Sequence, residues 1–331
     1  MTFTPTPFAT PVIAARTATQ LRAYSYISAS QYRFAPTSVG TMALVPKSQQ
    51  PQVDSTETLA ITIAQASAWM DEFCFHRSDG SFAANVTNEQ MWVKVKPNQS
   101  AVLICNFKPI LEVVGLALGP APGQLQNVSP NVASLLVIGE KTITIPGVFV
   151  SGTTTIGNTV LFNGYPSYNG GMLAVYSYIT GYPHTTLAAN ASAGATSITV
   201  NPPTPGGTVL SGAYAGTPLT IKDGASTETI TLSQAPSGLV LSLANPLQYA
   251  HTIPNAPDAI TVTGLPSDLE RACIHLTNVF LKAQGMRAQM PASIGSATPA
   301  TRQGLGRAGV LADFDVACKL LHRYVTTFLH G

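Results

Sequence analysis

Charge is what this sequence has least of. Only 10% of its 331 residues are Asp, Glu, Lys or Arg, against roughly a quarter in ordinary soluble domains. The 17 cations and 15 anions leave a net charge of +2. So small an excess gives no argument for a dedicated nucleic-acid binder. Neutral Thr, Ser, Gly, Pro and Asn fill the gap. That composition suits a chain packed against neighbours, or one built of β-structure with neutral polar faces. Cysteine is scarce too. Cys74, Cys105, Cys273 and Cys318 form no CxxC pair, so inert core thiols are expected rather than a disulfide framework or a metal clip. Long apolar runs are missing. The longest patch, ILEVVGLALG at 110–119, carries Glu112 and two glycines, so no membrane span is expected. The first residues, MTFTPTPFATPVIAART, show no basic stretch leading into an apolar one, so no signal peptide and no standard export are expected.

Catalytic vocabulary is equally thin. There is no GxSxG, no GxGxxG, no GxxxxGK[ST] and no HExxH. The six histidines (His76, His184, His251, His275, His322, His330) share no metal-ligand spacing. GLGRAG at 304–309 has no strand before it and reads as a surface loop. Asp313 and Asp315 read as acids near a helix start, where they stabilise the helix dipole. No enzyme, no cofactor and no metal site is expected.

What is present is a change of period along the chain. Residues 1–53 are rich in Thr, Pro, Ala and Ser without a sustained period. They read as an extended arm with one or two short ordered pieces around AYSYISASQYRFAPTSVG, expected either to lie on some other surface or to be mobile. Residues 54–75 read as a helix. Asp54 or Ser55 caps it, and Leu59, Ile63, Ala66, Met70 and Phe73 recur at helical spacing. From 83 to 184 the apolar residues alternate or cluster in short runs, MWVKVKP, SLLVIGE, TITIPGVFV and MLAVYSYITG, broken by Gly, Pro and Asn. That is an inserted β-domain. A smaller hairpin-rich β-lobe of five strands is expected over 185–262, with Asp223-Gly224 in PLTIKDGASTETITL as a two-residue type I′ turn. Helical period returns at 265–285, with a Ser267/Glu270 capping box and Gly285 as the stop, and again at 311–329. The fold expected is α+β. Helices at 54–82 and 263–331 form one helical domain from which the β-modules project.

One region concentrates cations. From residue 265 onward there are seven (Arg271, Lys282, Arg287, Arg302, Arg307, Lys319, Arg323) against four acids (Asp268, Glu270, Asp313, Asp315). Arg287, Arg302 and Arg307 fall in 286–309, read as a loop. They are the candidate docking residues, toward an acidic partner surface or DNA phosphate.

Taken together, the chain resembles the head–tail adaptor (connector) proteins of tailed bacteriophages. The resemblance rests on residues 24–75 and 170–325. It is carried by AYSYISASQYRFAPTSVG leading into a helix with Pro36-Thr37, Ala66-Ser67, Asp71 and Cys74, by VYSYITGYPHTTLAANASAGATSITV, GTPLTIKDGASTETITL and PLQYAHTI, by LPSDLERACIHLTNVFLKAQG, and by LADFDVACKLLHRYV. The resemblance implies a closed ring of identical subunits, about twelve, bound beneath the capsid portal. It implies a downstream neck or tail completion protein as a further partner, with packaged DNA passing through the lumen without sequence specificity. The location implied is the neck of the virion, after assembly in the host cytoplasm. The reading that competes is a tail-fibre or baseplate β-module that binds a surface or carbohydrate.

Overall fold

The computed structural model describes residues 25–38, 56–74, 82–94, 101–119, 121–127, 136–145, 171–203, 207–255, 258–288 and 306–325. It is an α+β protein with four helices and thirteen strands among these residues. The helices are α1 (Ala29–Phe34), α2 (Thr56–Phe73), α3 (Ser267–Ala288) and α4 (Gly306–Leu321). The strands in chain order are β1 (Ala83–Lys94), β2 (Ala101–Ile104), β3 (Ile110–Gly119), β4 (Gln126–Asn127), β5 (Val137–Ile138), β6 (Thr142–Ile145) and β7 (Gly171–Gly181). They continue with β8 (His184–Thr186), β9 (Ser197–Thr199), β10 (Pro218–Lys222), β11 (Glu228–Thr231), β12 (Val240–Ser242) and β13 (Thr261–Thr263).

The buried apolar residues fall into three clusters, and the clusters follow the change of period. The first gathers Leu59, Ile63, Ala66 and Met70 of α2, Leu269, Ala272, Cys273 and Leu276 of α3, and Ala317 and Leu321 of α4. Tyr26, Ile27, Ala29 and Tyr32 join the same core. The segment around α1 is therefore part of the chain's own helical core and not an arm lying elsewhere. Its sequence contains the reason: Ser28 and Gln31 form a reciprocal capping box. The short helix thus made turns Ala29 and Tyr32 inward, and Tyr32 gives its hydroxyl to Asn278 Oδ1 at 2.6 Å. The remainder of the expected 1–53 arm lies outside the described residues, as do Asp54 and Ser55.

The second cluster lies between two sheets, β1-β7-β3-β4 and β2-β6-β5. Strands β1 and β7 pair antiparallel from Ala83↔Gly181 to Lys94↔Gly171, with a bulge between Val86 and Glu89. Glycine is required where β7 ends. Gly181 has φ +92°, and a Cβ there would lie 1.7 Å from the Phe82 carbonyl oxygen.

The third cluster fills the lobe, from Leu187 to Val262. Its strands form a four-stranded sheet, β11-β10-β13-β8, and a β12-β9 pair, rather than one five-stranded sheet. Isolated bridges at Leu187↔Val200 and Leu232↔Leu243 join the two. The β10–β11 hairpin is present with Ile221↔Glu228 as its last pair, but its turn is not type I′. That turn needs positive φ at both central residues. Asp223 has φ −132°, and the chain continues through a 3-10 turn over Gly224–Ser226. The five-residue connection is closed by Ser226 N–H donating to the Asp223 carbonyl at 2.8 Å.

Helix α3 runs through Gly285 to Ala288, and α4 begins at Gly306, five residues before the expected start at 311. Gly285 fails as a stop because the helix carries on into three further residues of good helix propensity, Met286, Arg287 and Ala288. Ser267 is the first helical residue rather than the cap, and Glu270 turns to Lys222 Nζ on β10, 3.4 Å away. Among the described residues no helix is long and apolar enough to cross a membrane.

Candidate functional site

Three side-chain contacts fix the direction of the last two helices. Asp268 near the start of α3 pairs with Arg323, just beyond α4. Farther along α3, His275 Nδ1 lies 2.8 Å from Asp313 Oδ1, and Lys282 Nζ reaches Asp313 Oδ2. As one helix advances the other retreats, so α3 and α4 form an antiparallel hairpin. This topology brings the backbone of Arg287, one residue from the end of α3, to the same end of the hairpin as Arg307, the second residue of α4. Both arginines were expected in a loop over 286–309; the structure places them on helix termini. Arg302 lies outside the described residues, and so do the side chains of Arg287 and Arg307.

The electrostatics of this end follow from which acids are occupied. Three of the four acids after residue 265 are spent elsewhere: Asp268 on Arg323, Glu270 on Lys222, and Asp313 on Lys282 and His275. The first turn of α4 has no acid of its own. Its N-terminal amide groups carry the positive end of the helix dipole, so nothing in that turn offsets the positive charge of Arg307. Asp313 was expected to serve the dipole. With α4 starting at Gly306 it sits mid-helix instead, and its role is to bridge the helices. Burial opposes its charge, but Lys282 and His275 together hold the carboxyl below the ordinary aspartate range. Asp313→Ala removes the carboxylate that His275 and Lys282 share, in a site that is 14% exposed on the aspartate side. The expected cost is about 2 kcal/mol, somewhat less than for a fully buried pair. Urea unfolding checks this, and an unchanged midpoint would count against the bridge.

Elsewhere the titratable groups are engaged with each other. Glu89 at the β1 bulge accepts from the Tyr176 hydroxyl at 2.7 Å, the Tyr178 hydroxyl at 2.8 Å and the Asn106 N–H at 3.1 Å. Asp71 accepts from the Tyr26 hydroxyl. His251, fully buried, has Asp223 Oδ2 2.9 Å from Nδ1 and Glu228 Oε1 2.8 Å from Nε2. Both ring nitrogens face carboxylates, which leaves neither for a substrate proton. Burial pushes the thiols of Cys74, Cys105 and Cys273 up to about 12, which makes them poor nucleophiles. Among the described residues no group of three or more His, Cys, Asp or Glu could hold a metal ion.

The sequence reading missed these networks. Asp223 carried the signal of a turn residue, and Asp313 that of a helix-start acid. In each case the partner is distant along the chain, and no local spacing points to it. No family model, curated protein or solved structure matches the chain.

Proposed function

We propose that this chain is a head–tail adaptor: a subunit of a ring beneath the capsid portal that joins head to tail and surrounds the DNA channel. The observation that carries the reading is the common core made by both ends of the described chain. Residues within 26–32, 59–74, 265–281 and 317–324 share one apolar cluster, and the two β-modules are inserted between 74 and 265. A compact helical body with projecting β-modules suits a subunit that packs side by side in a ring, with the β-modules reaching the next component. The hairpin end with Arg287 and Arg307 is the part we assign to portal or DNA phosphate, because cations brought together on one end attract phosphate without reading sequence. Large apolar side chains at the surface, Phe34, Trp92 and Val114, together with the low charge content, suit a subunit covered by its neighbours.

Native mass spectrometry of the purified chain, with and without the portal protein from the same genome, tests this. A ring of about twelve subunits, alone or only when portal is added, is the expected result. A stable trimer, or a monomer that ignores portal, overturns it and favours a tail-fibre or baseplate module.

A further inference from the structure

The buried trio in the lobe carries a device that the adaptor reading does not require. His251 stands at the end of the 247–251 segment, anchored by backbone bonds in both directions with Ala191 (His251 N–H to Ala191 O, 2.8 Å; Ala191 N–H to His251 O, 3.0 Å). Its ring is held between the two ends of the β10–β11 connection: Asp223 before the 3-10 turn and Glu228 after it. Glu228 is nearly buried and also accepts the N–H groups of Gln248 at 2.8 Å and Tyr249 at 3.1 Å. Desolvation works against its charge, yet the Gln248 amide, the His251 ring and the Tyr249 amide hold its carboxyl below the ordinary glutamate range. Glu228 is therefore a fixed acceptor, and Nε2 must donate to it.

The second contact follows from donor counting. A neutral imidazole has one N–H and one lone pair; only the imidazolium donates from both nitrogens. With Nε2–H committed to Glu228, Nδ1 can hold the Asp223 carboxylate only when it carries a second proton. Asp223 differs from Glu228 in having an exit. Its side chain is 30% exposed, and Gly224, Ala225 and Thr227 of the connection are exposed. When Nδ1 presents a lone pair, the Asp223 carboxylate is repelled and can turn to water.

We infer that His251 is a proton-operated latch on the exposed 223–227 connection, closed on Asp223 when the ring is doubly protonated and open when it is singly protonated. Among the described residues, the charged groups facing the ring are Asp223 from the connection and Glu228 from β11. The 247–251 segment contributes backbone N–H groups, and Lys222 is turned away to Glu270. The latch leaves the lobe core intact, because the Glu228 contacts persist in both states. What changes is the order of an exposed loop at the tip of the hairpin, the part of the lobe best placed to meet another molecule.

The test is histidine-selective 15N NMR on the full chain across a pH series, with amide exchange of the 223–227 peptide measured alongside. The expected result is a His251 ring doubly protonated at the acid end that loses only the Nδ1 proton. Exchange at Ser226 and Asp223, whose N–H groups donate to the Asp223 carbonyl and to Thr227 Oγ1, corrected for intrinsic pH dependence, rises on the order of tenfold in step, the equivalent of one charged hydrogen bond. Asp223→Asn is the control. An amide can accept from N–H or donate to the lone pair, so its connection stays protected throughout. A ring with one proton across the whole range overturns the latch, and so does exchange that ignores the ring's titration. If Asp223→Asn lowers overall stability, the comparison of ring state with loop exchange in the unsubstituted chain still decides the matter.

Discussion

Replacing Tyr26 and Tyr32 together by alanine should remove on the order of 6 kcal/mol, at about 3–5 kcal/mol for each large aromatic lost from a core. Both rings are 1% exposed. Tyr26 meets Phe82 edge-to-face with centroids 5.2 Å apart, and its hydroxyl occupies Asp71. Tyr32 occupies Asn278, which in turn donates to the Thr37 carbonyl at 2.9 Å. The double variant leaves two cavities and takes one hydroxyl donor each from the buried Asp71 carboxylate and the buried Asn278 amide. Total stabilities of single domains are about 5–15 kcal/mol, so much of the protein should be unfolded without denaturant. The result separates two roles for the N-terminal segment. An arm that docks on a neighbouring subunit would leave the isolated chain's urea midpoint nearly unchanged and weaken only assembly. A clasp within the chain, as the contacts indicate, lowers the midpoint of the monomer. Equilibrium unfolding at a concentration where the chain is monomeric distinguishes them, and a loss below about 1 kcal/mol, the scale of an ordinary surface change, would refute the clasp.

That segment also marks how far the sequence could be read. The long helices were legible because burial repeats at helical spacing over many turns: Leu59, Ile63, Ala66 and Met70 were picked from the pattern and are all in the core. The strands of the β-modules were legible from alternation. The 25–38 segment was not. Six helical residues give too few turns for a period to show, and the signal that was present, Ser28 with Gln31, is a cap that many short turns share. Helix ends were misread for a related reason. Gly285 is a weak breaker when the residues after it still favour helix, and the 311 start came from apolar spacing that begins after the first turn. The networks were illegible in principle. The partner of Asp223 is 28 residues away and that of Asp313 is 38 residues away, so only the fold brings them together. Of the candidate docking residues, the concentration of cations was visible in the sequence. The reason two of them share one end, an antiparallel hairpin locked through Asp313, was not.

The second large effect is expected on mild acidification, and it comes from His184. This residue opens β8 beneath the α1 segment, 5% exposed, with its ring edge-to-face to Tyr26 at 5.4 Å. Nε2 lies 2.8 Å from the Ser25 carbonyl oxygen and must therefore donate to it. Among the described residues Nδ1 has no hydrogen-bond partner, so a proton added there would meet no acceptor among them. Burial lowers the ring from 6.5 to about 4, with the Ser25 carbonyl acting weakly the other way. The folded protein thus binds this proton less readily than the unfolded chain. The associated stability is complete above the ordinary histidine range and is lost as pH falls from about 6.5 toward about 4, a total of about 3 kcal/mol. Glu270 works in the opposite sense, since burial raises its carboxyl above the ordinary glutamate range. It takes up a proton first in the folded state and offsets part of the loss. Asp313 and Glu228, both held below their ordinary ranges, lose their contributions from the ordinary carboxylate range downward, so their loss enters at the acid end of this window and continues below it. His184→Gln isolates the histidine. The amide can keep the donor to Ser25 and cannot titrate, so its stability should vary with pH less steeply than that of the parent chain through this window, whatever its absolute value. Urea unfolding at several pH values gives both curves. If they run parallel between about pH 6.5 and about pH 4, the seam between α1 and β8 does not depend on a neutral His184, and the acid sensitivity of the fold must reside in its carboxylates.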